Sequence, residues 1–228
     1  MEITPKIVVC GDSFCSADWR EKDHFSQILE NQYGYSVTNL ARGGASTVLI
    51  CFQLQQAIAL APDIVVHSRT AAGRIEIPMP GKRFRSDLGL KNFIYANHFE
   101  LSARGPYAGD LDAAIYANNV QSMVNNRDPM EFLKLSDEVK TAVQLYVTHM
   151  HDYHLKTETD GWLYEYWESK LAANHIRSIP FDTVGQEAYE FNERIPRYPK
   201  IYHTDRATQE QVAKNIHQQI QAKVAITQ

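Results

Sequence analysis

Lys6-Ile7-Val8-Val9-Cys10-Gly11-Asp12-Ser13 is the stretch on which the reading of this chain turns. The unbroken apolar run from Ile7 to Cys10 has the character of a short strand buried on both faces. It stops at Gly11, and the small polar pair Asp12-Ser13 follows at once. Taken alone, Ser13 has two readings: a turn residue that caps a helix, or a nucleophile on the end of a strand. Working outward, Phe25, Ile28 and Leu29 recur at helical spacing and predict a helix over residues 22–33, with Gly34 as its stop. Residues 35–40 read as a second strand, and Arg42-Gly43-Gly44 as a turn. Ser46 stands as an N-cap before an apolar helix over 47–60, which Pro62 ends. Residues 63–67 give a third strand. Strand, helix, strand, helix, strand in this order predicts βαβ units and a parallel sheet.

Residues 75–109 break that rhythm with a long excursion rich in Pro, Gly and basic side chains. Helices are expected again at about 110–125, 130–155 and 160–174, and a late strand at 176–180. A last helix is expected over 206–224, with Val212, Ile216 and Ile220 on one face. No repeat, low-complexity tract or linker interrupts the chain, so one domain is expected over 1–228.

With 228 residues, 44% of them hydrophobic and 22% charged, the chain can bury a large core without disulfide or metal staples. The net charge of −4 argues against a general partner among nucleic acids or anionic membranes, which select a basic field. The three cysteines, Cys10, Cys15 and Cys51, have no metal-ligand spacing, and Cys10 and Cys51 read as small buried hydrophobes of a reducing compartment. The opening MEITPKIVV carries no apolar stretch of signal-peptide length, and no run of about 18 apolar residues occurs. The expected setting is the cytoplasm or a virion.

Ligands of a doubly wound sheet bind beyond the carboxyl ends of its strands, which is where Ser13 falls. A helix beginning just after it would aim backbone N–H groups at an oxyanion. The local sequence is not the G-x-S-x-G elbow of α/β-hydrolases. Three segments together carry a resemblance. Gly11-Asp12-Ser13 after an apolar strand resembles the first block of the SGNH (GDSL-type) hydrolases. Asn39-Leu40-Ala41-Arg42-Gly43-Gly44-Ala45-Ser46 resembles the second. Tyr202-His203-Thr204-Asp205 before the last helix is similar to the final block. The resemblance spans nearly the whole chain. It implies a flavodoxin-like three-layer α/β/α sandwich with a central parallel sheet, and ester or acetyl hydrolysis without a cofactor. Ser13 would be the nucleophile, His203 the general base and Gly44 a backbone donor to the oxyanion.

Two positions depart from the family pattern. Where the third block carries an oxyanion-hole Asn, this chain has Ala72 within Thr70-Ala71-Ala72-Gly73. Arg74 is the expected replacement, since a guanidinium is a permanent donor; Arg69 and the Thr70 hydroxyl are the alternatives. Where an Asp is usual three residues before the His, this chain has Lys200. Asp205 either orients the imidazole or N-caps the last helix, and a backbone carbonyl could orient it instead, so a Ser13–His203 dyad is the working mechanism. Asp12 is expected to stabilise the turn by accepting backbone N–H bonds, and Asn39 to brace the second loop in the same way. Cys15 has no second base in view and is not expected to act as a thiol nucleophile.

Other features have plainer readings. His149, His151 and His154 catch the eye as a metal cluster, but positions i and i+2 diverge on a helix, so a polar helix end is expected. Lys82-Arg83-Phe84-Arg85 reads as a solvated loop, and the aromatic segment 162–167 as packing surface with carbohydrate contact as the alternative. The expected function is therefore a serine hydrolase acting on a small-molecule or carbohydrate ester, an O-acetylated sugar by family analogy. The competing expectation is a catalytically degenerate binding or structural protein on the same fold. The variant third block is also similar to SGNH-like proteins of tailed phages.

Overall fold

Alternate residues of the first strand, β1 (Lys6–Cys10), face opposite sides of one parallel sheet, and both sides are covered. The computed structural model describes residues 4–12, 14–16, 24–41, 45–70, 75–78, 114–117, 137–180 and 206–224. Ile7 and Val9 lie in one core with Phe25, Ile28 and Leu29 of α1 (Phe25–Asn31) and with Val212, Ile216 and Ile220 of the last described helix. Val8 and Cys10 lie in the other, with Leu49, Ile50 and Leu54 of α2 (Thr47–Leu60). The remaining described strands of the sheet are β2 (Ser36–Asn39), β3 (Ile64–His67) and, after two short strands and two helices among the described residues, β6 (Arg177–Pro180). All pair in parallel, in the order β2-β1-β3-β6.

The helix after β1 covers one face and the helix after β2 covers the other, so the winding reverses at β1. That makes a three-layer α/β/α sandwich, and its first three strands have the 2-1-3 order of flavodoxin-like sheets. Helix α4 (Tyr153–Ala173) packs over α2 through Tyr164 and Leu171. Helix α5 (Arg206–Val224) packs beside α1. The expected bounds of α2 and α5 are met to the residue. No described helix is long and apolar enough to cross a membrane.

Two local expectations are corrected. Residues 114–117 fall in a predicted helix but form β5 (Ala114–Ala117), antiparallel to β4 (Ile75–Pro78). Ile-Glu-Ile and Ala-Ile-Tyr suit a pleated surface once each supplies the other's ladder, and that pairing overrides helical periodicity. β4 also opens the expected excursion; residues 79–109 lie outside the described residues. The predicted helix over 130–155 ends instead at His149, closing α3 (Asp137–His149). Asp152 then caps α4, its Oδ1 accepting from the His154 and Leu155 N–H groups at 2.8 and 3.0 Å. Those bonds hold its carboxyl below the usual carboxylate range. The break separates His149 from His154, and among the described residues no cluster of three ligands is placed to hold a metal.

His24 caps α1 from a buried position: its Nδ1 accepts from the Ser26 N–H, and Gln27 returns a bond to the His24 N–H. Burial lowers its pKa to about 4, opposed by a hydrogen bond with the Phe14 backbone. The unfolded chain therefore takes up this proton first as pH falls. Stability that is full above about pH 6.5 is lost progressively down to about pH 4, by about 3 kcal/mol from this group. His24→Asn keeps a capping acceptor without the proton site. Urea unfolding across pH 4–6.5 should show a shallower pH dependence in the variant; equal slopes would refute it.

Candidate active site

Gly11 leaves β1 at φ +147°, a conformation that L side chains rarely adopt. A Cβ there would sit 2.3 Å from Ser68 Oγ and 2.9 Å from Cys15 Cβ. The position thus needs glycine for conformation and for space. Its backbone is gripped from α2, where Gln53 Oε1 accepts the Gly11 N–H and Gln53 Nε2 donates to the Gly11 carbonyl.

Asp12 then ties the turn to β3. Its N–H donates to Ser68 Oγ (3.1 Å), and its carboxylate accepts from the Phe14 N–H (3.0 Å), the Thr70 hydroxyl (3.2 Å) and the Ser68 hydroxyl (3.4 Å). The Asp12 carbonyl accepts from the N–H groups of Cys15 and Ser16, so Asp12 closes the turn through Phe14 and Cys15. The expected turn-stabilising role of Asp12 is what the geometry shows. Asn39 acts as expected too: it accepts from the Ala41 N–H (2.9 Å) and donates to the Cys15 carbonyl (2.8 Å) and Ser26 Oγ (3.3 Å).

One expectation needs revision. Every described backbone N–H from Gly11 to Ser16 is bonded within the protein, so none of the described amides of this turn is free for an oxyanion. Phe14 and Cys15, where an α-helix was expected to begin, form a turn closed on Asp12; the first described helix is α1 at Phe25, and residues 17–23 lie outside the described residues.

All five predicted site residues, Ser13, Gly44, Arg74, His203 and Asp205, lie outside the described residues. Some of their chain neighbours are described. Asp12 and Phe14 flank the first, buried Ala45 follows the second, and Arg206 opens α5 after Asp205. The first turn of α5 lies at the carboxyl edge of the sheet, because Gln209 Oε1 accepts the Phe25 N–H (2.8 Å) and the neighbouring Ser26 contacts Asn39 at the end of β2. The opposite end of α5 accepts from Arg177 at the start of β6. α5 thus runs antiparallel to the strands.

The alternatives to Arg74 have other partners. The Arg69 guanidinium, 41% exposed, pairs with Glu168 at 2.8 Å and lies over the Tyr164 ring at 5.7 Å. The Thr70 hydroxyl donates to Asp12, and the Thr70 N–H donates to the Tyr164 hydroxyl at 3.0 Å. Burial pushes the Tyr164 phenol up, so it remains a neutral acceptor. His67, at the end of β3, presents Nε2 to Ser178 Oγ (2.9 Å) and to Glu168 (3.5 Å). A relay needs the carboxylate on the other ring nitrogen, so this trio does not activate Ser178. The Cys15 thiol is buried, and burial followed by the Asp12 charge raises its pKa well above the usual value, in line with an inert thiol.

Gln53 and Ser68 were missed from sequence; Tyr164 lies in the aromatic segment read as packing surface and is buried in the core with α2, but its bond from the Thr70 N–H was not foreseen. Gln53 did carry a signal: it lies three or four residues from Ile50, Leu49 and Ala57, on the apolar face of α2.

Neither a protein-family model nor a curated protein matches the sequence. Solved structures with a similar chain trace include a protein assigned to the G-D-S-L lipolytic family from Desulfitobacterium hafniense DCB-2, at 13% identity and TM-score 0.35, covering 93% of this chain and 99% of that one. A GDSL-like lipase from Bacteroides thetaiotaomicron VPI-5482 is similar at 12% identity and TM-score 0.36, with 96% and 89% covered.

Proposed function

We propose that this chain is a serine hydrolase of the SGNH type that cleaves carboxylic esters, O-acetyl groups of carbohydrates being the first substrate class to test. The observation that supports this reading is the turn after β1. It stands where the winding of the sheet reverses, and its flanking residues are fixed from α2, β3 and β2 by Gln53, Ser68, Thr70 and Asn39. Rigid support on the carboxyl edge is what a nucleophile at position 13 requires.

In the proposed reaction His203 takes the proton of the Ser13 hydroxyl, whose oxygen attacks the ester carbonyl carbon. The tetrahedral anion is held by the amides of Ser13 and Gly44 and by the Arg74 guanidinium. The C–O bond to the alcohol breaks, and the alcohol leaves with the proton from His203. Water then attacks the acyl-enzyme with His203 again as base, and the acid is released. Asp205 or a backbone carbonyl orients the imidazole.

A small fluorophosphonate tests this without knowledge of the substrate. One adduct on Ser13 is expected by intact mass and peptide mapping. It should be absent in Ser13→Ala and slowed at least about 10⁴-fold in His203→Ala. No adduct on a chain with unchanged circular dichroism and melting would make this a binding protein on the same sandwich.

A further inference from the structure

We propose that Gln53 is a positioning residue for the nucleophile, acting as a two-point clamp that orients the Gly11 peptide units and sets Ser13 against the oxyanion donor. The inference rests on the reading of Ser13 as a nucleophile. Gln53 is fully buried on α2, with Ile50, Leu54 and Ala57 around it in sequence. A primary amide in such surroundings is costly unless both ends are bonded, and an apolar side chain of equal length would pack there without that cost. Here both ends are spent on one residue, Gly11, through its N–H and its carbonyl.

β1 ends at Cys10 and β2 at Asn39, so the side-chain amide supplies a rung beyond the backbone ladder. Two antiparallel bonds fix the position of Gly11 and also the tilt of its peptide planes, where one bond would leave rotation. Glycine is the residue least able to hold such a tilt by itself.

The clamp has a second consequence for the site. Gln53 is the seventh residue of α2, and the helix begins at Thr47, just after the segment that contains Gly44. A rigid helical spacer of about 9 Å therefore connects the residue that grips Gly11 to the loop proposed to supply an oxyanion amide. Moving either end relative to the other changes the angle at which the hydroxyl meets the carbonyl, not the affinity for the ligand.

The test is fluorophosphonate inactivation resolved into its maximal rate and its half-saturating concentration, with melting followed in parallel. In Gln53→Leu the maximal rate should fall on the order of 10²-fold with half-saturation unchanged. Gln53→Glu keeps the shape, but its ionised carboxylate accepts the Gly11 N–H and repels the Gly11 carbonyl. Protonation restores both contacts, so its deficit relative to wild type should shrink as pH falls. A folded Gln53→Leu that inactivates at the wild-type maximal rate overturns the clamp alone. So does a Gln53→Glu deficit that is flat with pH, which decides the matter even if the leucine variant does not fold. A wild-type chain that takes no adduct at Ser13 overturns the hydrolase reading and the clamp together.

Discussion

Gly11→Ala is expected to remove about 3–5 kcal/mol of folding stability, the sum of a positive-φ penalty and an overpacked contact. For a chain of this length the melting midpoint should drop on the order of 10 °C. The physical reason is twofold. At φ +147° an added Cβ is strained in itself, and it would also lie 2.3 Å from Ser68 Oγ and 2.9 Å from Cys15 Cβ. Neither neighbour can retreat cheaply: Ser68 is bonded to Asp12, and Cys15 is buried in the core with its carbonyl held by Asn39. Gly34 supplies the control. It also has positive φ, at +72°, but a Cβ there meets nothing within 4 Å. Gly34→Ala should therefore cost about 1 kcal/mol, from conformation alone. Urea unfolding of both variants separates strain from collision; equal losses would refute the collision.

Asp12→Ala is the second large effect, with an expected loss of about 3 kcal/mol or more, because a buried carboxylate that serves several donors disappears. The Phe14 N–H and the hydroxyls of Thr70 and Ser68 all lose their acceptor, in a place where water has little access. Asp12→Asn should lose much less, about 1 kcal/mol, since an amide oxygen still accepts from Phe14 and the Thr70 hydroxyl can rotate to accept from the new amino group. A third of the loss in the asparagine variant would assign the role to hydrogen bonding. Equal losses in the two would mean that the negative charge itself is what the turn requires.

The centre of the sheet was legible in the sequence because β1 and β3 are buried on both faces. A strand such as Ile7–Cys10 has no polar face to confuse with helical periodicity, and its length is too short for a helix. α5 was legible for the opposite reason: Val212, Ile216 and Ile220 repeat every four residues against polar neighbours. β4 and β5 were not, since four residues of each become a strand only by pairing across a long sequence gap. The end of α3 was hidden because apolar periodicity runs on past it; the signal was Asp152, a good N-cap, which the reading passed over.

At the site, the local roles of Asp12 and Asn39 could be deduced because each accepts an N–H two positions on; their bonds to Ser68, Thr70 and Cys15 could not. Gln53 acts on a residue 42 positions away. Nothing local to α2 names that partner, so only the oddness of a polar side chain on an apolar face was visible. The same holds for the pairing of Arg69 with Glu168, which lies 99 positions on and shows Arg69 to have a partner of its own.

The bond from Phe25 to Gln209 spans 184 positions. During synthesis α1 waits for that acceptor on the order of ten to forty seconds at ordinary elongation rates. Through that interval Ile7, Val9, Ile64 and Val66 of the sheet have, among the described helices, α1 alone to cover them, because α5 supplies the other half of that core and leaves the ribosome after every strand of the described sheet. Among the described elements, that face of the nascent sheet therefore stays half covered until the last described helix arrives.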